Sequence, residues 1–173
     1  MDSCLKAAMP ASPTDLFAFL DAHDIAHTTV EHAATFTVEE GRDLKASMPG
    51  GHSKNLFMKD KDGTLVLVSA WAESQLRLNQ LHKLIGTRRL SFASAELMLD
   101  CLGVVPGSVT AFGLMNDKQK RVRFVADAAL IGFDTVNFHP LVNTATTAIS
   151  QADLRRFVEL TGHSLMEVDF SSL

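Results

Sequence analysis

The stretch Lys54-Asn55-Leu56-Phe57-Met58-Lys59-Asp60-Lys61-Asp62-Gly63-Thr64-Leu65-Val66-Leu67-Val68-Ser69-Ala70 holds two apolar runs, 54–60 and 64–70, on either side of Lys61-Asp62-Gly63. Asp-Gly between two such runs is a strong hairpin signal. Upstream, Met48-Pro49-Gly50-Gly51 must break the helix that Thr37-Val38-Glu39-Glu40 opens with capping-box spacing. Earlier still, residues 25–33 read as a strand. Ser12-Pro13-Thr14-Asp15 starts a helix over 12–24, with Leu16, Phe17 and Leu20 at helical spacing. Downstream, helices are predicted over 75–85, from the Ser94 cap to Gly103, and from the Ser150 cap to Gly162. Strands are predicted over 89–92, 108–114, 121–126, 135–138, 144–149 and 165–170. Hairpins mixed with irregularly spaced helices predict an α+β fold with a mixed sheet, not a regular βαβ array.

The 173 residues fit a single domain spanning 1–173, with its core at about 12–170. Apolar residues make up 46% and charged residues 21%, a composition that folds. No apolar run approaches the ~20 residues of a membrane helix. The first ten residues lack a signal peptide's apolar stretch, so the expected compartment is the cytoplasm. Cys4 and Cys101 form neither a disulfide framework nor a zinc knuckle. A net charge of −4 disfavours a protein that coats DNA, yet leaves local recognition of one nucleic-acid end open. Eleven Phe and no Tyr read as core more than as a stacking platform.

Several motif-like strings carry no chemistry. His23-Asp24-Ile25-Ala26-His27 imitates a zinc-protease motif, but its helix ends inside the string. Asp60-Lys61-Asp62-Gly63 lacks the first and last ligands of a calcium loop. Cys101 shares an apolar helix face with Leu97, Met98 and Leu102 and reads as an inert thiol. Lys118, Lys120, Arg121 and Arg123 read as a solvated hairpin, with a phosphate contact as the lesser alternative. Three polar islands survive: 50–55, 103–109 and 137–144. They supply a cation, amides, an imidazole and flexible backbone N–H groups, without a metal ligand set or a carboxylate pair. That set suits polarising an ester while water attacks.

Gly51-His52-Ser53-Lys54-Asn55-Leu56-Phe57, the segment from Gly103-Val104-Val105-Pro106-Gly107 to Gly113-Leu114, and His139-Pro140-Leu141-Val142-Asn143-Thr144 resemble the YbaK/prolyl-tRNA synthetase editing-domain family. The Lys-Asn-Leu-Phe form is most similar to free-standing Ala-tRNA(Pro) deacylases. Ala111 stands where the family often has Pro. The resemblance implies a partly barrel-like mixed sheet surrounded by helices and a metal-independent, cofactor-free hydrolysis of a mischarged aminoacyl ester. In that chemistry the terminal adenosine's 2′-hydroxyl assists the water. It implies catalytic roles for Lys54, Asn55 and His139. Substrate contacts are implied for Gly50, Gly51, His52, Ser53, Asn137, Asn143 and Thr144. The implied partners are the acceptor end of tRNA(Pro) and prolyl-tRNA synthetase, with no membrane and no DNA. Cys-tRNA(Pro) or another small aminoacyl ester is the alternative substrate, and a non-catalytic binder of tRNA or synthetase is the alternative class.

Overall fold

The computed structural model describes residues 9–34 and 37–173, so Cys4 lies outside the described residues. The chain runs α1 (Pro13–Ala22), β1 (Thr28–Glu31), α2 (Val38–Ser47), β2 (Gly51–Asp60), β3 (Leu65–Trp71), α3 (Leu81–Ile85), β4 (Leu90–Phe92) and α4 (Ala95–Leu102). A 3-10 helix (Ala111–Asn116) follows, then β5 (Val122–Asp127), α5 (Ala128–Ile131), β6 (Thr135–Phe138), β7 (Ala145–Ser150), α6 (Gln151–Leu160) and β8 (Leu165–Val168). The strands form one mixed sheet in the order β1-β7-β6-β2-β3-β5-β8, with β4 also on β2. Pairs β2–β6, β3–β5 and β5–β8 are parallel; the others are antiparallel.

The hairpin is the centre of this sheet. β2 and β3 pair from Ser53 opposite Trp71 to Lys59 opposite Leu65. Asp60 caps the turn: its Oδ1 accepts from the amides of Asp62 (2.9 Å) and Thr64 (2.8 Å), and Gly63 takes φ +83°. Burial works to raise this carboxyl's pKa, but the amide bonds from Thr64, Arg88 and Asp62 outweigh it and hold it low. β3 is apolar without alternation because both its faces are covered. Leu65 and Leu67 enter the larger core with α1, α4 and α6, while Val66, Val68 and Ala70 enter a smaller one with Leu81, Ile85 and Phe170. Phe112 packs edge-on against Phe138 (5.7 Å) and Phe157 (5.3 Å), so these phenylalanines are core.

Helix starts follow the caps. Ser12 and Thr37 both complete capping boxes, and Ser94 and Ser150 each accept from the third residue on. Three expectations change. The strand expected at 108–114 is instead the 3-10 helix: Thr110 Oγ1 accepts from the Phe112 amide, and Asn116 Nδ2 donates to the Leu102 carbonyl (2.9 Å), tying this turn to α4. Gly113 lies against Leu102, where a Cβ would sit 3.1 Å from its carbonyl oxygen. The helix expected over 75–85 shrinks to Leu81–Ile85: residues 74–77 are irregular and 78–80 form a turn closed by the Gln80 amide on the Arg77 carbonyl (2.9 Å), from which Leu76 and Leu78 both pack on the smaller core. The strand expected over 25–33 shortens to Thr28–Glu31 because Ile25 is drawn into the larger core. Among the described residues no helix is long and apolar enough to cross a membrane.

Candidate active site

The parallel pairing of β2 with β6, Gly51 opposite Val136 and His52 opposite Asn137, brings the first and third polar islands together. Two glycines permit it. Gly50 takes φ +106°, and a Cβ there would sit 2.4 Å from the Thr135 carbonyl oxygen; at Gly51 it would meet the Phe133 ring at 2.6 Å. Hydrogen bonds then lock the strands. Ser53 Oγ donates to the Asn137 carbonyl (2.7 Å) and accepts from Asn55 Nδ2 (3.0 Å). Asn55 Oδ1 in turn accepts from Ser69 Oγ on β3. Asn137 Nδ2 donates to the carbonyls of Pro49 and Gly51, both at 3.3 Å, and Asn137 Oδ1 is buried without a partner.

Above this junction lies a cavity of about 140 Å³, lined by His52, Ser53, Asn137, His139 and Thr146 with Leu44 and Lys45 of α2 along its wall. His139 Nδ1 donates to the Ala145 carbonyl (2.8 Å), which leaves Nε2 as the ring nitrogen not used by that bond. His52 Nε2 donates to the Met48 carbonyl (2.8 Å). Burial depresses the His52 pKa and Lys45 adds to that, against the Met48 carbonyl, which favours the charged ring. His52 is therefore a neutral acceptor at Nδ1 near pH 7.

Lys54 sits one residue beyond Ser53 and so faces the other side of β2. Its Nζ donates to the Ser74 carbonyl, two residues past Ala72, which itself lines the cavity. Buried Asp127 holds that segment: its Oδ2 accepts from Ser74 Oγ (2.6 Å) and the Trp71 amide (3.1 Å), and its Oδ1 caps α5 at the Ala129 amide (2.9 Å). Sequence reading missed Asp127. Its signal was an Asp directly before Ala-Ala-Leu-Ile, a cap on a helix too short to notice.

Gly107 of the second island lies against Asn143 of the third. A Cβ on Gly107, at φ +91°, would lie 3.5 Å from Asn143 Nδ2. Thr144 is exposed and lines a separate hollow with His32 and Pro140, and its carbonyl accepts from the His32 amide (2.9 Å). Thus His52, Ser53, Asn137 and His139 converge on one cavity, Lys54 is not on its lining and turns its ammonium to the Ser74 carbonyl, and Asn143 and Thr144 lie outside it.

His23 and His27 do not converge. α1 ends at Ala22, His23 Nδ1 donates to the Phe19 carbonyl (2.8 Å), and His27 Nε2 pairs with Asp21 (2.8 Å). Among the described residues no three His, Cys, Asp or Glu side chains are grouped to hold a metal. Cys101 is fully buried in the larger core, and that burial raises its thiol pKa. Cys101→Ser is expected to leave the ester hydrolysis that the sequence resemblance implies within about twofold while costing about 1–3 kcal/mol of stability. Parallel denaturation and turnover measurements check both, and lost turnover in a stable variant would point to covalent catalysis.

Residues 32–157 match the family model of the aminoacyl-tRNA editing domain. A prolyl-tRNA synthetase associated domain-containing protein 1 from Xenopus laevis is 38% identical over 161 residues, covering 90% of this chain and 95% of its own. The prolyl-tRNA editing protein ProX from Acetoanaerobium sticklandii is 33% identical over 155 residues, covering 89% and 94%. A solved structure of a candidate trans-editing enzyme for prolyl-tRNA synthetase superposes with TM-score 0.67 at 20% identity, over 92% of this chain and 98% of that one, a likeness of fold.

Proposed function

The chain belongs to the aminoacyl-tRNA editing-domain family, and from that premise we propose that it is a trans-editing hydrolase that deacylates mischarged Ala-tRNA(Pro). The observation that carries this reading is the small cavity where the glycine-led start of β2 meets β6, with His52, Ser53, Asn137 and His139 on its lining. In this mechanism the ester of the terminal adenosine enters the cavity. His139 Nε2 and the adenosine 2′-hydroxyl orient the attacking water, and Asn55 keeps Ser53 and its strand in place. In this reading the Lys54 ammonium leaves the Ser74 carbonyl and turns to the negative charge that develops on the carbonyl oxygen. The glycines at 50 and 51 let the acceptor end approach the backbone closely. Residues 1–173 act as one editing domain on the tRNA(Pro) acceptor end, in the cytoplasm and without DNA.

The physical reason for a second pocket is a weak first one. A synthetase that binds proline rejects the smaller alanine poorly, since each missing methylene is worth only ~1–3 kcal/mol. The deciding assay compares turnover of Ala-, Cys-, Ser- and Pro-tRNA(Pro) side by side. Hydrolysis of Ala-tRNA(Pro) with Pro-tRNA(Pro) spared supports the reading, and faster turnover of Cys-tRNA(Pro) would reassign the substrate. A second reading is a non-catalytic partner of prolyl-tRNA synthetase. It is favoured by the vertebrate relatives, whose names state association with that synthetase; under it, none of the four esters is turned over.

The proposed chemistry runs on an ammonium, an imidazole and a substrate hydroxyl. Dialysis against a strong chelator is therefore expected to leave the rate within about twofold. Loss of activity restored only by zinc would overturn this and return attention to His23 and His27.

A further inference from the structure

The lone buried acceptor Asn137 Oδ1 has a direction and a chemistry. The two carbonyls at 3.3 Å, Pro49 and Gly51, fix the carboxamide: rotating it would set its oxygen against both of them. Its Nδ2 is therefore used twice, and its Oδ1 has no partner. Asn137 is only 2% exposed, on a strand whose next two residues also line the cavity. Buried polar atoms are nearly always paired, so an unpaired one beside a cavity marks where a ligand donor belongs.

The other polar groups on the lining agree with this. His52 and His139 each spend a ring N–H on a backbone carbonyl; the neutral His52 ring then offers Nδ1, and His139 keeps Nε2 out of its own backbone bond. Ser53 Oγ spends its proton on the Asn137 carbonyl. The inner lining thus presents acceptors and no carboxylate. Its sole cation, Lys45, is exposed on α2 at the wall, placed for a phosphate more than for the reacting group. Such a lining complements a small group with several N–H bonds.

We propose that Asn137 Oδ1 receives the α-amino group of the aminoacyl ester, so that the cavity selects esters with a free primary amine. The assignment rests on the deacylase reading, and gives the inner wall its specificity: the amine is held by neutral acceptors, as ammonium or as amine. A carbonyl chemistry that reads only the ester would not distinguish acyl groups in this way. The selection excludes N-acylated and des-amino acyl groups of the same size.

The test uses the intact protein and two probes. The first is hydrolysis of alanyl-tRNA(Pro) against propionyl-tRNA(Pro), each rate divided by its spontaneous rate, because an α-ammonium itself activates an ester. The second is binding of the non-hydrolysable 3′-alanylamino-adenosine against its propionylamino counterpart. The expected result is a preference of about tenfold or more for the amine in both. Asn137→Leu, which keeps the volume but removes the acceptor together with the Nδ2 bonds to Pro49 and Gly51, is expected to slow both esters and to abolish the preference between the alanyl and propionyl probes. Equal treatment of the two esters and the two amides by the wild-type protein overturns the proposal and leaves the deacylase reading intact. Hydrolysis of neither ester, with the alanylamino probe still preferred, removes the deacylase reading and sustains the amine site. Should Asn137→Leu fail to fold, the wild-type comparison alone decides.

Discussion

Lys54→Ala is expected to lower the single-turnover rate of Ala-tRNA(Pro) hydrolysis by about 10²–10³-fold, the typical cost of removing one preorganised donor to a developing oxyanion. The fold should survive. Lys54 pairs with Ala70 at the end of the hairpin ladder, where backbone bonds hold the strand, and its ammonium meets one loop carbonyl, that of Ser74. Truncation leaves that carbonyl beside half-buried chain that water can reach. The melting temperature should therefore shift by a few degrees at most, which separates lost chemistry from lost structure. Lys54→Arg is expected to recover only part of the rate, because a planar guanidinium does not occupy the site of a compact ammonium. Near-normal turnover by folded Lys54→Ala would remove the lysine from the mechanism. Ser74→Ala, which keeps the carbonyl but frees it from Asp127, should lower kcat by a smaller factor with KM unchanged.

What was legible in the sequence was local. The hairpin and the four capped helices follow from spacings of two to four residues, and the structure places them close to expectation. The family strings also name candidate residues on β2 and β6. The errors arise where tertiary contact overrides local pattern. Residues 108–114 read as a strand from their β-branched content, yet Thr110 and Asn116 bind them into a turn against α4, through contacts on Leu102 that no local window contains. Leu76 and Leu78 fit a helical pattern with Leu81, yet the turn at 78–80 delivers them to the smaller core before α3 begins. The site itself depends on a parallel pair, β2 with β6, whose partners are more than eighty residues apart. No spacing rule gives that register. Without the register, the unpaired oxygen of Asn137 and the support of Ser74 by Asp127 stay invisible.

The second large effect is selectivity. Single-turnover hydrolysis of alanyl-tRNA(Pro) is expected to exceed that of prolyl-tRNA(Pro) by about 10–100-fold. The cavity holds about 140 Å³ and must also admit the ester carbon, the attacking water and part of the ribose. Its walls include Leu44 and Phe138, and Phe138 is fixed edge-on to buried Phe112, so the inner wall yields little to a larger ligand. Forcing extra methylenes into a packed site costs ~1–3 kcal/mol, and about 1.4 kcal/mol is one factor of ten. A proline ring adds two carbons beyond the alanine methyl and replaces the primary amine by a secondary one, so both size and hydrogen bonding count against it. Displacement of the ester by even an ångström would lower the rate further through lost alignment with the water. Serine should be rejected weakly, because an apolar wall resists an added hydroxyl poorly. The measurement is the ratio of single-turnover rates for both esters on one tRNA(Pro), with Leu44→Ala as the internal control. Widening the wall should raise prolyl hydrolysis more than alanyl hydrolysis. A wild-type ratio near one would mean that size is not read here, and the editing assignment would lose its physical basis.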